Sequence, residues 1–251
     1  RDCGMIALGT SYGQPDMILV PESPVEPDLL VDRVISILDK QKHAVLCVSE
    51  GIKDTNGHIL GAVSASKDPA GNIQYTGAAE AVKRLLVERI GNDFFTRQRR
   101  NESADAAIFV RKIGHTQRGG RPILFDRFYA AQQGAKAVEL LVEGRNNAVS
   151  VLQYNATKGF HVEGYDANRF RDRWGLIHAR RMHPSLYDAT QMKPSKLGMD
   201  YLMPIFTDAI GEDDMEHMRR TLFAAGNLSQ PYHSINTDVH KRIRYLQPEA
   251  N

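Results

Sequence analysis

Met17-Ile18-Leu19-Val20 is a four-residue apolar run closed by Pro21, and His43-Ala44-Val45-Leu46-Cys47-Val48 is a second run of the same kind. Short continuous apolar runs bounded by breakers suit strands buried on both faces. Between them, Glu26 to Gln41 places Leu29, Leu30, Val34, Ile37 and Leu38 at helical spacing. Strand, helix, strand in that order is the unit of a parallel sheet, so the expected fold class is α/β.

On the amino-terminal side, Asp2 to Tyr12 reads as a loop entering a short helix. Beyond the second strand, Glu50-Gly51 fall at its carboxyl end, where open α/β sheets bind ligands. A carboxylate there can accept hydrogen bonds from a ligand hydroxyl; a solvated loop acid is the competing reading. Asp54 to Gly71 is rich in turn residues, and Asn56-Gly57 and Gly71-Asn72 are hairpin signals. Ala78 to Ile90 is helical, Thr96 to Asn101 a solvated connection, and Ala106 to Ile113 a third strand. Pro122 sits where a helix can begin. Phe125 to Glu143 is then a long amphipathic helix ending at Gly144, and Ala148 to Tyr154 a fourth strand.

Near Gly159 the pattern shifts, and a mostly helical segment is expected over 159–251. Lys196 to Ile210 reads as helix interrupted at Pro204. Glu212 to Ala225 is a helix with acids in its first turn, and Asn236 to Tyr245 a basic one. Arg169, Arg171, Arg173, Arg180 and Arg181 crowd in sequence around Trp174, as a solvated face or as a basic surface for phosphate or a partner chain.

Gly114-His115-Thr116-Gln117-Arg118-Gly119-Gly120 joins the third strand to the long helix. Arg presents a rigid fork of donors suited to phosphate oxygens, and His adds another. The glycines let backbone N–H groups approach an anion with no Cβ in the way. The loop therefore reads as a phosphate-type cradle, against a tight turn with a structural Arg. No HExxH, CxxC, G-x-S-x-G or GxxxxGK[ST] motif is present, and no self-sufficient nucleophile–base pair can be named.

Gly-His-x-Gln-Arg-Gly-Gly, five residues, then Asp126-Arg127, resembles the signature of the phosphofructokinase family. Three further stretches agree in order: Arg1-Asp2-Cys3-Gly4, Val20-Pro21-Glu22 and Val48-Ser49-Glu50-Gly51. The resemblance covers roughly residues 1–153. It implies a parallel-sheet phosphofructokinase-like sugar-phosphate domain over 1–158 with a helical carboxyl-terminal extension. It also implies Mg²⁺-dependent phosphoryl transfer from ATP or pyrophosphate to fructose 6-phosphate, in glycolysis, in the cytoplasm, by a homo-oligomer. By the same resemblance His115 and Arg118 bind the 6-phosphate and Glu50 the sugar hydroxyls. Arg1 lies by the transferring phosphoryl group as the catalytic residue. Asp16 matches a position that some members use for an effector-bound cation, with Gln41 where a Lys is expected. The run Glu50 to Asp54 is slightly more like pyrophosphate-using members.

Two departures qualify this. Six residues before His115 the family has Arg or Lys, and this chain has Phe109. On a strand Phe109 and Arg111 share a face, so Arg111 is expected to substitute as a substrate-binding residue. The family's Gly-rich nucleotide loop and Thr-x-Asp-x-Asp segment, which carries the base, are also missing. The chain opens without Met inside a structured-looking segment, which predicts a fragment. No metal ligands are expected within it, the Mg²⁺ ligands belonging to the missing half. A non-catalytic sugar-phosphate-binding or regulatory subunit is the alternative, favoured by Phe109.

Composition excludes other classes. A formal charge of +2, from 32 basic and 30 acidic residues, argues against bulk nucleic-acid binding. No apolar run reaches the roughly 20 residues of a membrane helix. Two cysteines, Cys3 and Cys47, both in apolar surroundings, suit reduced core thiols.

Overall fold

The computed structural model describes residues 2–61, 77–97, 103–114, 122–178 and 180–207. The chain forms two units: Arg1–Arg118 with Ala179–Gly198, and Gly119–His178 with Met199–Asn251. The first is thus built from two separate stretches of chain.

In the first unit, helix α1 (Met5–Gly9) leads through a 3₁₀ turn to strand β1 (Met17–Leu19). Helix α2 (Pro27–Gln41) crosses over to strand β2 (Leu46–Val48), which pairs parallel with β1, Met17 opposite Leu46 and Leu19 opposite Val48. The expected strand–helix–strand unit is present. Pro27 pre-sets the first turn of α2, and Lys42, in the left-handed region at φ 67°, ends it. All three β1 residues are buried. Leu30, Val31 and Val34 of α2 pack with Met17 and Leu19 together with Val82 and Leu86 of helix α3 (Ala78–Arg97). Each such side chain contributes about 1.5–3 kcal/mol through burial. Gly91, at φ 72°, breaks α3 into two helical runs.

Asp16, just before β1, holds the far end of this unit. Its Oδ1 accepts from Gln41 Nε2 at 2.7 Å and its Oδ2 from the Val45 N–H at 2.7 Å. Asp16 and Gln41 therefore form a clamp between the end of α2 and the start of β2. Asn56-Gly57 forms the expected turn: Asp54 Oδ1 accepts from the Asn56 and His58 N–H groups, and Gly57 takes φ 84°. Gly71-Asn72 lies outside the described residues.

The third strand expected over Ala106–Ile113 is not formed. Ala104–Ala107 is a one-turn helix, α4, capped by Ser103 Oγ and anchored where Asn92 Oδ1 accepts the Ala104 N–H at 2.8 Å. Capping and alanine content win locally over β pattern. From Ile108, at φ −112° and ψ 115°, the backbone is extended, but 108–114 joins no ladder among the described residues.

The second stretch of this unit returns over β1. A hairpin of β5 (Tyr187–Asp188) and β6 (Lys193–Pro194) lies against it. Ile18 N–H donates to the Met192 carbonyl at 2.8 Å, and the Tyr187 hydroxyl donates to the Ile18 carbonyl at 2.5 Å. Glu22, three residues past β1, makes the other link. Its carboxylate accepts from the Gly4 N–H at 3.0 and 3.1 Å and from the Met182 N–H at 2.7 Å.

In the second unit, helix α5 (Leu124–Val142) packs on an antiparallel hairpin of β3 (Ala148–Asn155) and β4 (Gly159–Asp166). Phe125, Tyr129, Tyr154 and Phe160 form one aromatic cluster, joined by Tyr201 of helix α6 (Lys196–Thr207). α6 continues through Pro204 to Thr207, so the interruption expected at that proline is not seen. Gly144, at φ 69°, follows α5 as expected.

The shift to helices at Gly159 is corrected. Through Thr207 the described residues hold β4, β5, β6 and one α-helix. The boundary expected between 158 and 159 falls inside the β3–β4 turn. Asn155 Oδ1 accepts from the Thr157 and Lys158 N–H groups there, and Gly159 supplies φ 66°. The five arginines near Trp174 also divide, Arg169, Arg171 and Arg173 in one unit and Arg180 and Arg181 in the other. Arg173 stacks on Trp174 at 3.9 Å and Arg169 on Tyr165 at 5.1 Å. The helices expected at Glu212–Ala225 and Asn236–Tyr245 lie outside the described residues.

Glu22→Ala leaves two N–H groups without their acceptor and is expected to cost about 2–3 kcal/mol in urea unfolding, with Glu22→Gln recovering part of it. Burial, with the Asp188 charge adding, pushes the Tyr187 hydroxyl above its ordinary 10.0. The unfolded chain therefore ionises first, so stability present below pH 10 declines as the pH rises from there. Tyr187→Phe is expected to cost about 1–2 kcal/mol at neutral pH and to flatten that decline in unfolding curves between pH 9 and 11.

Candidate functional site

Because β1 and β2 run parallel, their carboxyl ends leave the sheet at the same edge. Val20-Pro21-Glu22 follows β1 there, and Ser49-Glu50-Gly51 follows β2. The Ser49 N–H donates to the Leu19 carbonyl at 3.0 Å, which carries the pairing to the last residue before Glu50. Gly51 and Ile52 are buried beneath, so the chain turns inward and leaves Glu50 exposed. The Glu50 carboxylate has no hydrogen-bond or ion-pair partner among the described residues, and lies past the carboxyl end of a parallel strand, the edge at which open α/β sheets in general bind ligands.

Glu22 draws a third segment to this edge. Its bonds to the Gly4 N–H fix the segment that enters α1 against the end of β1. A side chain at Gly4 cannot be accommodated, since a Cβ there would lie 2.7 Å from Glu22 Oε2 and 2.8 Å from Val20 Cβ. The Met182 N–H on the same carboxylate brings in the segment that follows Arg180 and Arg181, both exposed. Sequence reasoning named Glu22 only as part of a matching motif and missed this role. The one available signal was a carboxylate placed directly after a buried strand.

Arg111 is exposed, its guanidinium 5.5 Å from the centre of the Phe109 ring, with Nη1 donating to the Val110 carbonyl at 3.1 Å. The two side chains share a side, as an extended backbone requires. Phe109 is itself 71% exposed. It therefore offers an uncovered ring in place of a cation, and the nearest cation lies across that ring. Arg1, His115 and Arg118 lie outside the described residues. Of the site residues expected from sequence, the structure describes Glu50 and Arg111, both in the first unit.

Asp16, the position implied for an effector cation, has both oxygens engaged by Gln41 and Val45. Among the described residues no group of three or more His, Cys, Asp or Glu side chains is placed to hold a metal ion. The donor set of the described residues does not fit Mg²⁺. Cys3 and Cys47 are both free thiols. No described helix is long and apolar enough to cross a membrane.

Comparison with known proteins agrees with this geometry. The chain is 31% identical over 157 residues to an ATP-dependent 6-phosphofructokinase of Listeria welshimeri. It is 31% identical over 146 residues to a pyrophosphate–fructose 6-phosphate 1-phosphotransferase of Thermoproteus tenax. These alignments cover 62% and 58% of this chain and 37% of each relative, so the chain spans well under half the length of the relatives it matches. Among solved structures, it is similar to a pyrophosphate-dependent phosphofructokinase from Nitrosospira multiformis, with a TM-score of 0.60 and 20% identity. That match covers 84% of this chain and 46% of the other. The corresponding protein from Marinobacter aquaeolei gives 0.56 and 19%, over 84% and 46%. At such identities these structures speak for the fold, and the parallel sheet with its crossover helix is the fold they share. The phosphofructokinase family model matches residues 1–141, more than half of the 251, and the chain belongs to the phosphofructokinase family.

Proposed function

We propose that this chain is part of a 6-phosphofructokinase, transferring a phosphoryl group from pyrophosphate or ATP to the 1-hydroxyl of fructose 6-phosphate. The observation that carries the reading is the family match over residues 1–141, which takes in every motif gathered at the sheet edge. In the reaction the 1-hydroxyl oxygen bonds to the terminal phosphorus of the donor and the bridging P–O bond breaks. Pyrophosphate leaves as phosphate, or ATP as ADP. The hydroxyl proton passes to a base in the half of the pattern that this chain does not span.

Within that reading the chain grips the sugar phosphate. Glu50 accepts from the sugar hydroxyls, and its lack of any partner among the described residues supports this. His115 and Arg118 hold the 6-phosphate. Arg1, on the loop held by Glu22, is the catalytic residue, its guanidinium facing the charge that develops on the transferring group. Arg111 contributes from the strap before the loop. Mg²⁺ accompanies the donor phosphates, bound outside the described residues. A cytoplasmic, glycolytic homo-oligomer is the setting this implies. The names of the relatives include both donors, and the residues that select between them belong to the other half.

A second reading has a specific observation behind it. Phe109 stands exposed where the family carries a cation, which suits a non-catalytic sugar-phosphate-binding or regulatory subunit.

The test is a coupled assay on the complete gene product with fructose 6-phosphate and either ATP or pyrophosphate. Formation of fructose 1,6-bisphosphate with one donor is expected. Binding of fructose 6-phosphate with turnover on neither donor selects the regulatory subunit. In the same protein Arg111→Ala is expected to weaken fructose 6-phosphate binding roughly tenfold, the effect of losing one charged hydrogen bond. Unchanged affinity removes Arg111 from the site.

A further inference from the structure

Arg180-Arg181-Met182-His183 returns to the first unit from far along the chain. Met182 is its anchor. The side chain is 3% exposed, and the N–H donates to Glu22 Oε1 at 2.7 Å. The same oxygen accepts from the Gly4 N–H at 3.0 Å, so the two backbone nitrogens are held within two hydrogen-bond lengths of each other. The chain on either side of Met182 therefore stays close to the end of β1. That is the edge at which open α/β sheets bind ligands.

Around this anchor three donor groups are unused. Arg180 and Arg181 are exposed, and neither guanidinium has a hydrogen-bond, ion-pair or ring partner among the described residues. Glu22 is met by backbone N–H groups and by neither arginine. His183 supplies the third donor. Its Nδ1 accepts from the Ser185 N–H at 3.3 Å and meets Ser185 Oγ at 2.7 Å. A backbone N–H can only donate, so Nδ1 presents its lone pair and the neutral ring carries its proton on Nε2. The Ser185 contacts fix the ring, while Nε2 has no partner among the described residues and His183 is exposed.

We infer that Arg180, Arg181 and His183 form an anion-binding group at the edge of the sheet, and that it takes a phosphate group of a substrate. Guanidinium forks match phosphate oxygens bidentately, and the imidazole N–H adds a single donor. Adjacent like charges repel each other, and a phosphate dianion set against them removes that repulsion. The group also answers a deficit, because Phe109 leaves the chain without the cation that the family pattern carries before the Gly-rich loop. The family match ends at residue 141, so these three residues lie outside that pattern. Fructose 6-phosphate and the phosphoryl donor both present this chemistry, and the inference rests on the proposed function for that choice of ligands.

The test is titration calorimetry on the complete gene product with fructose 6-phosphate, pyrophosphate and ATP, beside thermal unfolding of each variant. The double variant Arg180→Gln/Arg181→Gln is expected to bind at least one of them about tenfold more weakly or worse, with an unchanged melting temperature. A loss confined to fructose 6-phosphate puts the group on the sugar phosphate, and a loss confined to pyrophosphate or ATP puts it on the donor. His183→Asn keeps an acceptor for the Ser185 N–H and is expected to weaken the same ligand about threefold. Arg169→Gln/Arg173→Gln removes the same charge from the other unit and is expected to bind as the wild type does. Wild-type binding of every ligand by Arg180→Gln/Arg181→Gln overturns the inference and leaves the proposed function standing. An equal loss in Arg169→Gln/Arg173→Gln means an effect of net charge alone, and a lowered melting temperature with weaker binding of all three ligands means a structural role; either overturns it. Failure of the wild-type protein to bind any of the three overturns the proposed function and the inference with it.

Discussion

One carboxylate organises the edge of the sheet. Glu22 stands at the end of the most deeply buried strand and accepts N–H groups from Gly4 on one side and Met182 on the other. Three segments far apart in sequence are thereby fixed around one ion. Backbone N–H groups are the right partners for this, because they carry no side-chain entropy and cannot swing away. The conformational demand falls on Gly4, the one residue type whose backbone can come so near both the carboxylate and Val20. Glu50 emerges two residues past the neighbouring strand with no hydrogen-bond or ion-pair partner among the described residues. The same edge thus has one acid spent on structure and one left available.

Asp16 shows the same economy at the opposite edge. A position that could have faced a cation is instead closed by an amide side chain and a backbone N–H. With Gln41 in place of a Lys, the carboxylate finds a neutral donor from within its own unit and sets the spacing of α2 and β2. Phe109 is a departure of another kind. Losing a cation there leaves a ring in water with Arg111 resting on it, an arrangement with little to stabilise it beyond a weak cation–π contact at an exposed site.

Local pattern revealed much of this fold. The apolar runs at Met17 and Leu46, the spacing in α2 and the turn at Asn56-Gly57 each owe their structure to residues within a few positions, and sequence shows such residues side by side. Where the pattern misled, a competing local signal or a distant partner decided. At Ala104–Ala107 a Ser cap and the Asn92 side chain made a helical turn of residues that also suit a strand. At Gly159 the hairpin depended on the Asn155 side chain folding back on its own backbone, which turned β3 toward an antiparallel partner. The role of Glu22 was out of reach, because its partner Met182 is 160 residues away and nothing in either neighbourhood announces the other. The place of Glu50 past the end of a parallel strand was legible from the apolar runs, whereas Arg111 lies on a segment that joins no ladder among the described residues.

The division of the first unit into two stretches of chain bears on how the protein is made. Glu22 and Ile18 precede their partners Met182 and Tyr187 by 160 and 169 residues, and so leave the ribosome well before them. At about 5–20 residues per second, β1 spends on the order of ten seconds or more without its clasp. Through that interval the backbone of Ile18 and the Glu22 carboxylate lack those partners. Contacts of such sequence separation are slow to close even in a complete chain, since a long loop must be ordered before any of them forms. The interaction that fixes the candidate site is therefore among the last to form.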